Sequence, residues 1–276
     1  MNQAEKAERL LNLHRGDGIL VLPNAYDVIS ACVLADVGFE AIATTSGGCA
    51  FSLGFGDGEN ISRGEMAAVV GAIAAAVDLP VTADMEAGYG PRPDDVAETV
   101  GATIDAGAVG INIEDSTKHG PRALLDFDLS VARIRAARDA AAAAGLAMVI
   151  NARTDVYSVG GCGDEVMFDE AQRRANAYLE AGADCAFVIG VKDGDLIGRL
   201  AGAIDGPLNV LAGPDTPSVE QLQSLGVKRV SLGSGFAKAA LSHVKKAAEE
   251  LRDHGTYEFT RGVLGQPEIN RILKGD

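Results

Sequence analysis

Two carboxylate side chains stand directly after an apolar run in the first third of the chain. The run 79–83 is followed by Asp84, by Glu86 two positions later, and by a glycine-rich turn at 88–91. Positions 81–85 have the composition of a buried strand, in which residues two apart point to the same face. Two like charges at the end of a buried strand are costly unless something neutralises them. A hard divalent cation, which prefers oxygen ligands, would neutralise this pair.

A recurring sequence pattern indicates which elements position these carboxylates. Each time, a helical pattern ends at a glycine and an apolar strand begins within a few residues, as at 37–42, 106–111, 181–186 and 225–230. Glycine suits the left-handed end of a helix, and the repetition indicates a series of βα units. The chain contains candidate strands near 19–23, 41–45, 81–85, 109–113, 148–152, 185–189, 208–212 and 229–232. Helical patterns occur at 27–37, 62–77, 94–106, 128–144, 168–181, 194–203, 218–224 and 234–253.

These units predict an α/β fold, specifically a (β/α)8 TIM barrel, because eight βα units in about 250 residues are typical of that architecture. An open doubly wound sheet is the alternative, which is disfavoured because no GxGxxG motif opens the first helix. We expect a single domain over 1–276, in which 242–276 form a C-terminal helical arm that packs on a neighbouring subunit.

Composition and charge exclude several classes of partner. The chain has 276 residues and a net charge of −15, which argues against binding to nucleic acid or to an anionic membrane surface. No apolar stretch reaches about 18 residues without interruption, so we expect no membrane span. The polar segment 1–18 is predicted to be an amphipathic helix rather than a signal peptide. The four cysteines lack CxxC or zinc-type spacing, which favours reduced thiols in a cytoplasmic protein.

Polar residues at the carboxyl ends of the candidate strands suit one active site, because TIM barrels build their active sites there. Four carboxylates from three successive units could converge on Mg²⁺ or Mn²⁺, mostly through water: Asp57, Asp84, Glu86 and Glu114. Arg153 suits a substrate carboxylate or a developing oxyanion, and an ion pair at the barrel mouth is the alternative. Positions 46–48, Ser-Gly-Gly, offer backbone N–H groups as an anion cradle.

Other polar residues have simpler explanations. We expect Asp27 and Asp94 to be helix N-caps. The segment 231–235 resembles the phosphate cup of phosphate-binding barrels, although a serine-capped turn explains it as well. Three histidines fall on predicted helices and are expected to face solvent: His14, His243 and His254.

Four segments, taken together and in order, make the chain resemble the isocitrate lyase / phosphoenolpyruvate mutase superfamily, and within it the 2-methylisocitrate lyase-like proteins. These segments are 44–48, 84–90, 112–115 and 151–155. The resemblance implies a TIM barrel, typically a homotetramer built from dimers that exchange C-terminal helices. It also implies a Mg²⁺ ion held chiefly by Asp84 and supported through water by Asp57, Glu86 and Glu114.

The resemblance further implies a class of substrate and the residues that bind it. A small 2-oxo acid, or a 2-hydroxy acid, would chelate the metal through its carboxylate and its C2 oxygen. Arg153 would steady these oxygens, and Asn209 would face the distal end of the substrate. The remaining contacts would come from Tyr26, Ser46, Gly47 and Gly48.

The loop after the fourth strand departs from the superfamily's lyases. In those lyases it carries a cysteine that acts as acid or base, whereas 115–122 is short and contains no cysteine. The segment 187–190 also lacks the lyase-type Glu-Ala ending, and Glu86 replaces an aspartate. We therefore predict His119 as the general acid/base, with Tyr26 or a metal-bound water as alternatives. The predicted catalytic residues are Arg153, His119 and Asp57.

The function that follows is a Mg²⁺-dependent lyase or decarboxylase. It would cleave a C–C bond of a small 2-oxo or 2-hydroxy carboxylic acid through a metal-stabilised enolate. One alternative is an enzyme of P–C bond chemistry, of the phosphonopyruvate hydrolase or phosphoenolpyruvate mutase type. Two others are a non-catalytic 2-oxo acid binding protein, which the shortened loop favours, and a phosphate-binding barrel that uses 231–235.

Overall fold

A parallel sheet of nine strands curls into a nearly closed barrel in the computed structural model, which describes residues 1–274. The strands are β1 Leu20–Leu22, β2 Asn24–Ala25, β3 Ile42–Thr44, β4 Val81–Asp84, β5 Gly110–Glu114, β6 Val149–Thr154, β7 Cys185–Val188, β8 Leu208–Leu211 and β9 Arg229–Ser231. The order around the sheet is β1-β9-β8-β7-β6-β5-β4-β3-β2. The predicted TIM barrel is confirmed, because this order and the helices between the strands are those of a (β/α)8 fold.

The count of nine strands, against eight predicted, comes from a break in the first one. Pro23 separates β1, which pairs with β9, from β2, which pairs with β3. Proline has no N–H to donate to a ladder, so a strand tends to be interrupted where it occurs. Two short pieces of one strand therefore join the two sides of the barrel.

Helices connect the strands on the outside of the barrel. Those of the described region are α1 Gln3–Arg15, α2 Val28–Val37, α3 Ser46–Ser52, α4 Arg63–Ala76, α5 Pro93–Asp105, α6 Phe127–Ala143, α7 Val156–Val159, α8 Asp164–Glu180, α9 Gly194–Ala203, α10 Val219–Ser224, α11 Gly235–His254 and α12 Gln266–Lys274, with a 3-10 turn at Glu258–Thr260. Asp27 caps α2 as predicted, since its side chain accepts from the Ser30 N–H. The same prediction for Asp94 is wrong: α5 begins earlier because Pro93 occupies its first position, and Asp94 lies in the first turn.

Helix α1 packs against the amino ends of the strands. Leu10 is buried there, and a Cβ at Gly110 would lie 2.9 Å from its Cδ2 atom, so glycine is needed at the start of β5. His14 was expected to face solvent, but it is buried, with Nε2 3.3 Å from Nη1 of Arg229. That expectation is wrong because α1 covers this end of the barrel, which leaves the opposite end for the polar residues discussed below.

The C-terminal segment packs on its own chain in the described structure. Position 242, where the predicted arm begins, lies inside α11. Helix α12 contacts α2 through buried Ile272 and through an ion pair between Arg271 and Asp36 at 2.5 Å. Exchange of this helix between subunits stays a prediction. Within residues 1–274, no helix combines the length and the apolar character that a bilayer crossing requires.

Candidate active site

Asp84 is the last residue of β4, and Ser46 holds its side chain in place. Its Oδ2 atom accepts from the Ser46 backbone N–H at 3.1 Å and lies 3.0 Å from the Ser46 hydroxyl. The same hydroxyl lies 3.2 Å from Oδ1 of Asp57, which belongs to the loop after α3. Ser46 therefore brings together two of the four carboxylates that the sequence predicted to converge.

Positions 46–48 form the first turn of α3. The N–H of Ser46 donates to Asp84, and the N–H of Gly48 points to the Thr45 side chain, which is the N-cap of the helix. Both glycines allow close approach of neighbouring side chains. A Cβ at Gly47 would lie 3.0 Å from Cγ of Asp57, and one at Gly48 would lie 2.6 Å from Cβ of Tyr26. The small residues thus bring Tyr26 and Asp57 next to the turn, and the use of 46–48 as an anion cradle stays a prediction, with the Ser46 N–H already bonded to Asp84.

Glu86 lies in a turn whose backbone is strained. Its φ is +51°, and two further non-glycine residues of the site, Glu59 and Tyr89, have φ of +55° and +56°. The three are bonded to one another: the Glu59 N–H lies 2.8 Å from both carboxylate oxygens of Glu86, and the Tyr89 N–H donates to Oε1 of Glu59 at 3.0 Å. Such conformations persist where the surroundings impose them, and they cluster at functional sites. Sequence reasoning did not select Glu59, although it follows Asp57 in the same glycine-rich loop.

Glu114, the last residue of β5, lies between two cationic side chains. Its Oε1 atom is 2.7 Å from Nη1 of Arg153, its register partner on β6, and its Oε2 atom contacts Nζ of Lys118. Lys118 Nζ also lies 3.6 Å from Oε2 of Glu86. The ammonium group thus stands between the second pair of predicted metal carboxylates. Sequence reasoning missed Lys118, whose signal is that it is the one lysine of the loop 115–122.

Burial shapes the charges of this cluster. It raises the pKa of Glu86 to about 8, with the Glu59 N–H and Lys118 acting in the opposite direction. It also raises the pKa of Glu114 to about 7, again against Arg153 and Lys118. Burial by itself would lower the pKa of Lys118, but Glu114 raises it above its ordinary value. A cation that enters this cluster therefore competes with protons for the two glutamates.

Arg153 is held on two sides and stays charged. Nε and Nη2 lie 2.9 and 2.8 Å from Oδ1 of the buried Asp155, and the guanidinium lies over the Phe187 ring at 5.7 Å. Asp155 in turn accepts from Ser116 and, at 3.0 Å, from Arg122. The ion pair at the barrel mouth is therefore present, and the same network fastens the loop after β5 to the end of β6.

His119 lies at the rim of this arrangement. Its side chain is 73% exposed, and its nearest carboxylate oxygen is Oε2 of Glu59 at 3.9 Å. The structure therefore does not bring His119 together with Asp84 or Glu114.

Asn209 is fully buried on β8, where its amide nitrogen lies 3.2 Å from the Ser231 hydroxyl.

The segment 231–235, which resembles a phosphate cup in sequence, has two of its N–H groups occupied by Asn24. The N–H groups of Leu232 and Gly233 donate to Oδ1 of Asn24 at 2.7 and 3.0 Å. Ser234 is bonded to Thr45, with 2.9 Å between their hydroxyl oxygens. These bonds disfavour the alternative of a phosphate-binding barrel that uses 231–235, because a side chain of the same chain occupies two of its donors.

The donor set fits a magnesium ion that is bound mainly through water. In the described part of the chain, no three carboxylate, imidazole or thiol groups stand close enough together to hold a bare ion. The four predicted carboxylates instead form two pairs, joined by Ser46 in one case and by Lys118 in the other. All of their ligand atoms are hard oxygens, and Mg²⁺ commonly keeps several waters and binds few carboxylates directly. The ammonium group of Lys118 shows that the second pair accommodates a cation.

Comparisons with known proteins give a consistent picture. The sequence matches the family model described as phosphoenolpyruvate phosphomutase over residues 10–252. An uncharacterised protein of Mycobacterium tuberculosis (strain H37Rv) is 36% identical over 242 residues, 88% of each chain. The 2,3-dimethylmalate lyase of Eubacterium barkeri is 32% identical over 237 residues, which are 82% of this chain and 78% of the lyase. A solved structure of oxaloacetate acetylhydrolase with its product oxalate is 25% identical, with a TM-score of 0.88 over 99% of this chain and 94% of that one.

Proposed function

The chain belongs to the phosphoenolpyruvate mutase family, within the isocitrate lyase / phosphoenolpyruvate mutase superfamily of lyases and mutases, and we propose that it is a Mg²⁺-dependent carbon–carbon lyase or decarboxylase. Its substrate would be a small 2-oxo or 2-hydroxy carboxylic acid. The observation that carries the proposal is the pairing of Asp84 with Asp57, and of Glu86 with Glu114, beside the fixed cation Arg153. Hard oxygen ligands and a guanidinium at one end of a barrel suit the binding of a carboxylate and an adjacent oxygen.

The metal would be held chiefly by Asp84, with the other three carboxylates supporting it through water. When bound, Mg²⁺ supplies Lewis-acid polarisation of the substrate's carboxylate and C2 oxygen, and Mn²⁺ is an alternative. Ser46 keeps Asp84 and Asp57 oriented toward this position. Arg153, which Glu114 and Asp155 hold rigidly, stabilises the negative charge that develops on the substrate oxygen as the C–C bond breaks.

In a 2-oxo acid that loses CO₂, the electron pair of the broken bond forms the enolate, whose carbon then takes a proton. A 2-hydroxy acid instead gives up its C2 hydroxyl proton, and the carbon of the departing fragment, which carries away the electron pair, takes a proton. The cysteine that donates this proton in the superfamily's lyases has no counterpart in 115–122, and the structure instead directs Lys118 into the site. Its ammonium group has three N–H donors, and the side chain is 13% exposed, against 73% for His119. We therefore assign the proton donor role first to Lys118, and His119 stays the candidate that the sequence predicted.

Substitutions at the adjacent positions 118 and 119 test which of the two residues donates the proton. We expect Lys118→Met to lower kcat at least tenfold, because the buried glutamates lose their cation and the substrate loses a proton donor. We expect His119→Ala to change kcat less than threefold, because that imidazole lies at the rim. Steady-state kinetics at pH 7 and pH 8 would compare both variants with the unsubstituted chain. A tenfold loss in His119→Ala alone would restore the histidine to the role of general acid/base.

A panel of substrates with Mg²⁺ tests the function itself. The panel contains isocitrate, methylisocitrate, oxaloacetate, 2,3-dimethylmalate and phosphonopyruvate. We expect C–C cleavage of at least one of the first four and no turnover of phosphonopyruvate, with all activity lost in EDTA. Turnover of phosphonopyruvate alone would establish P–C bond chemistry. Tight binding without product would favour the non-catalytic 2-oxo acid binding protein.

We propose that the chain assembles as a homotetramer, built as a dimer of dimers. Helix α11 carries apolar side chains that its own chain leaves exposed, namely Leu241, Val244 and Leu251. They are spaced by three and seven residues, which places them on one stripe of the helix. A stripe of this kind suits a contact between subunits. The exchange of C-terminal helices stays a prediction, because α12 packs on α2 of the same chain in the described structure.

A further inference from the structure

Arg133 is a buried arginine whose acceptors are backbone carbonyls of the candidate site. It lies on α6, and its side chain is 1% exposed. Its guanidinium donates to the carbonyl oxygens of Ala87 and, at 2.7 Å, Gly90, and reaches that of Glu114 at 3.5 Å. Within residues 1–274 it forms no ion pair, unlike Arg153 and Arg174, which are also largely buried.

Burying a guanidinium without a carboxylate partner is costly, so its carbonyl acceptors must compensate. Burial lowers the pKa of Arg133, as expected for a cation removed from water. The three carbonyls lie close in sequence to Glu86 and Glu114, the two residues whose carboxylates contact Lys118. Ala87 directly follows Glu86, and Glu114 itself provides the third acceptor. One side chain thus fixes the backbone at the ends of both β4 and β5.

The turn that Arg133 holds does not adopt an ordinary conformation. Glu86, Gly88, Tyr89 and Gly90 have φ of +51°, +83°, +56° and +153°. Two of these residues carry side chains, for which the left-handed region is unfavourable. The turn therefore needs contacts that impose it, and Arg133 bonds two of its carbonyls from outside.

We propose that Arg133 is a positioning residue that sets the spacing of Glu86 and Glu114 and thereby the affinity of the site for a divalent cation. The inference rests on the proposed function in that the cation is the one assigned above. A carboxylate displaced by about 1 Å supports a metal-bound water poorly, and loss of a residue that orients a ligand typically weakens metal binding by about 10- to 100-fold.

Arg138 provides a matched control on the same helix. It donates to the carbonyl oxygens of Gly182 at 2.9 Å and Met148 at 3.0 Å, and it contacts Asp184. These acceptors precede β7 and β6, so Arg138 fastens backbone at the opposite end of the barrel. A purely structural role would make substitutions at the two arginines equivalent for the metal.

The experiment compares Arg133→Met, Arg133→Lys and Arg138→Met in the full chain. Mn²⁺ affinity would be measured by electron paramagnetic resonance, stability by urea denaturation, and hydrogen exchange over 86–90 by mass spectrometry. We expect Arg133→Met to weaken Mn²⁺ binding at least tenfold and to speed exchange in 86–90. Arg133→Lys, which keeps the charge but not the planar fork, should fall between Met and the unsubstituted chain. Arg138→Met should lower stability while its Mn²⁺ affinity changes less than twofold.

Several outcomes would overturn the inference. It fails if Arg133→Met folds and binds Mn²⁺ as the unsubstituted chain does, or if both methionine variants weaken binding equally. If Arg133→Met does not fold, the comparison of Arg133→Lys with Arg138→Met decides in the same way. If the unsubstituted chain binds no Mn²⁺, the proposed function fails, and so does the inferred effect on the metal. Exchange over 86–90 then shows separately whether Arg133 holds the turn.

Discussion

Replacement of Asp84 by alanine is expected to abolish divalent-cation binding and to lower turnover at least about 10³-fold. The reason is that metal polarisation of a substrate oxygen contributes several kcal/mol, and each factor of ten in rate corresponds to about 1.4 kcal/mol. Mn²⁺ binding and kcat with Mg²⁺ would be measured on the substrate that the panel identifies. The variant should stay folded, since within the described residues the Asp84 side chain accepts hydrogen bonds only from Ser46 and Glu86.

Two further variants make the result for Asp84 specific. Asp84→Asn keeps one oxygen as an acceptor for the Ser46 N–H but removes the charge and one ligand oxygen, so we expect it to lose the metal as well. Asp215→Ala removes an exposed carboxylate whose partner is Lys192, and it should leave kcat unchanged. Turnover that survives either substitution at Asp84, or that survives chelation by EDTA, would contradict the metal-dependent mechanism.

The second large effect is expected at Arg153. We expect Arg153→Lys to lower kcat about 10²- to 10³-fold, the range typical for removal of a preorganised donor to a developing oxyanion. Lysine keeps the positive charge, so Glu114 and Asp155 are not left uncompensated, but it cannot bond both at the fixed angles of a guanidinium. The thermal midpoint, kcat and KM would be measured together, because a loss confined to kcat assigns Arg153 to the reacting state.

Arg199 offers a close control for that substitution. It also pairs with a glutamate, Glu165 at 2.8 Å, and lies over a phenylalanine ring, Phe168 at 4.3 Å, but its side chain is 49% exposed. Arg199→Lys should leave kcat within twofold of the unsubstituted value. An Arg153→Lys variant with normal kcat would mean that this arginine is only the ion pair of the barrel mouth.

The barrel and most of its polar mouth follow from local sequence patterns. Four of the βα units are marked by a glycine at the helix end and an apolar strand soon after, and these signals depend on neighbouring residues only. Asp84, Glu114 and Arg153 were placed correctly at strand ends because the apolar run of each strand stops there. Glu86 was expected on the same strand face as Asp84, but β4 ends at Asp84 and Glu86 lies in the turn that follows. The second piece of the first strand, β2, was not predicted, since the apolar run stops at Pro23 and the polar Asn24 follows it.

The loop contacts could not be predicted in the same way. Lys118 and His119 are adjacent in sequence, so residue type alone does not show which of them enters the site. The loop torsions decide this, and they are fixed by the bonds of Ser116 and Arg122 to Asp155, which follows β6. Asn24 likewise occupies the donors at 232–233 from more than two hundred positions away in the chain. Arg133 looks like an ordinary helical arginine because its acceptors are carbonyls, and these carry no signature in the residue types.

The side chain of Asn24 makes the two sides of the barrel mouth chemically different. Its amide oxygen accepts from the two N–H groups that follow the last strand. In many barrels of this fold, a phosphate group binds to the loop at that position. The acidic side chains and Arg153 lie elsewhere around the mouth, at the carboxyl ends of β4 to β6 and in the loop after α3. A substrate of the proposed class would be held there through its carboxylate and the neighbouring oxygen, and the N–H groups of Leu232 and Gly233 would take no part in its binding.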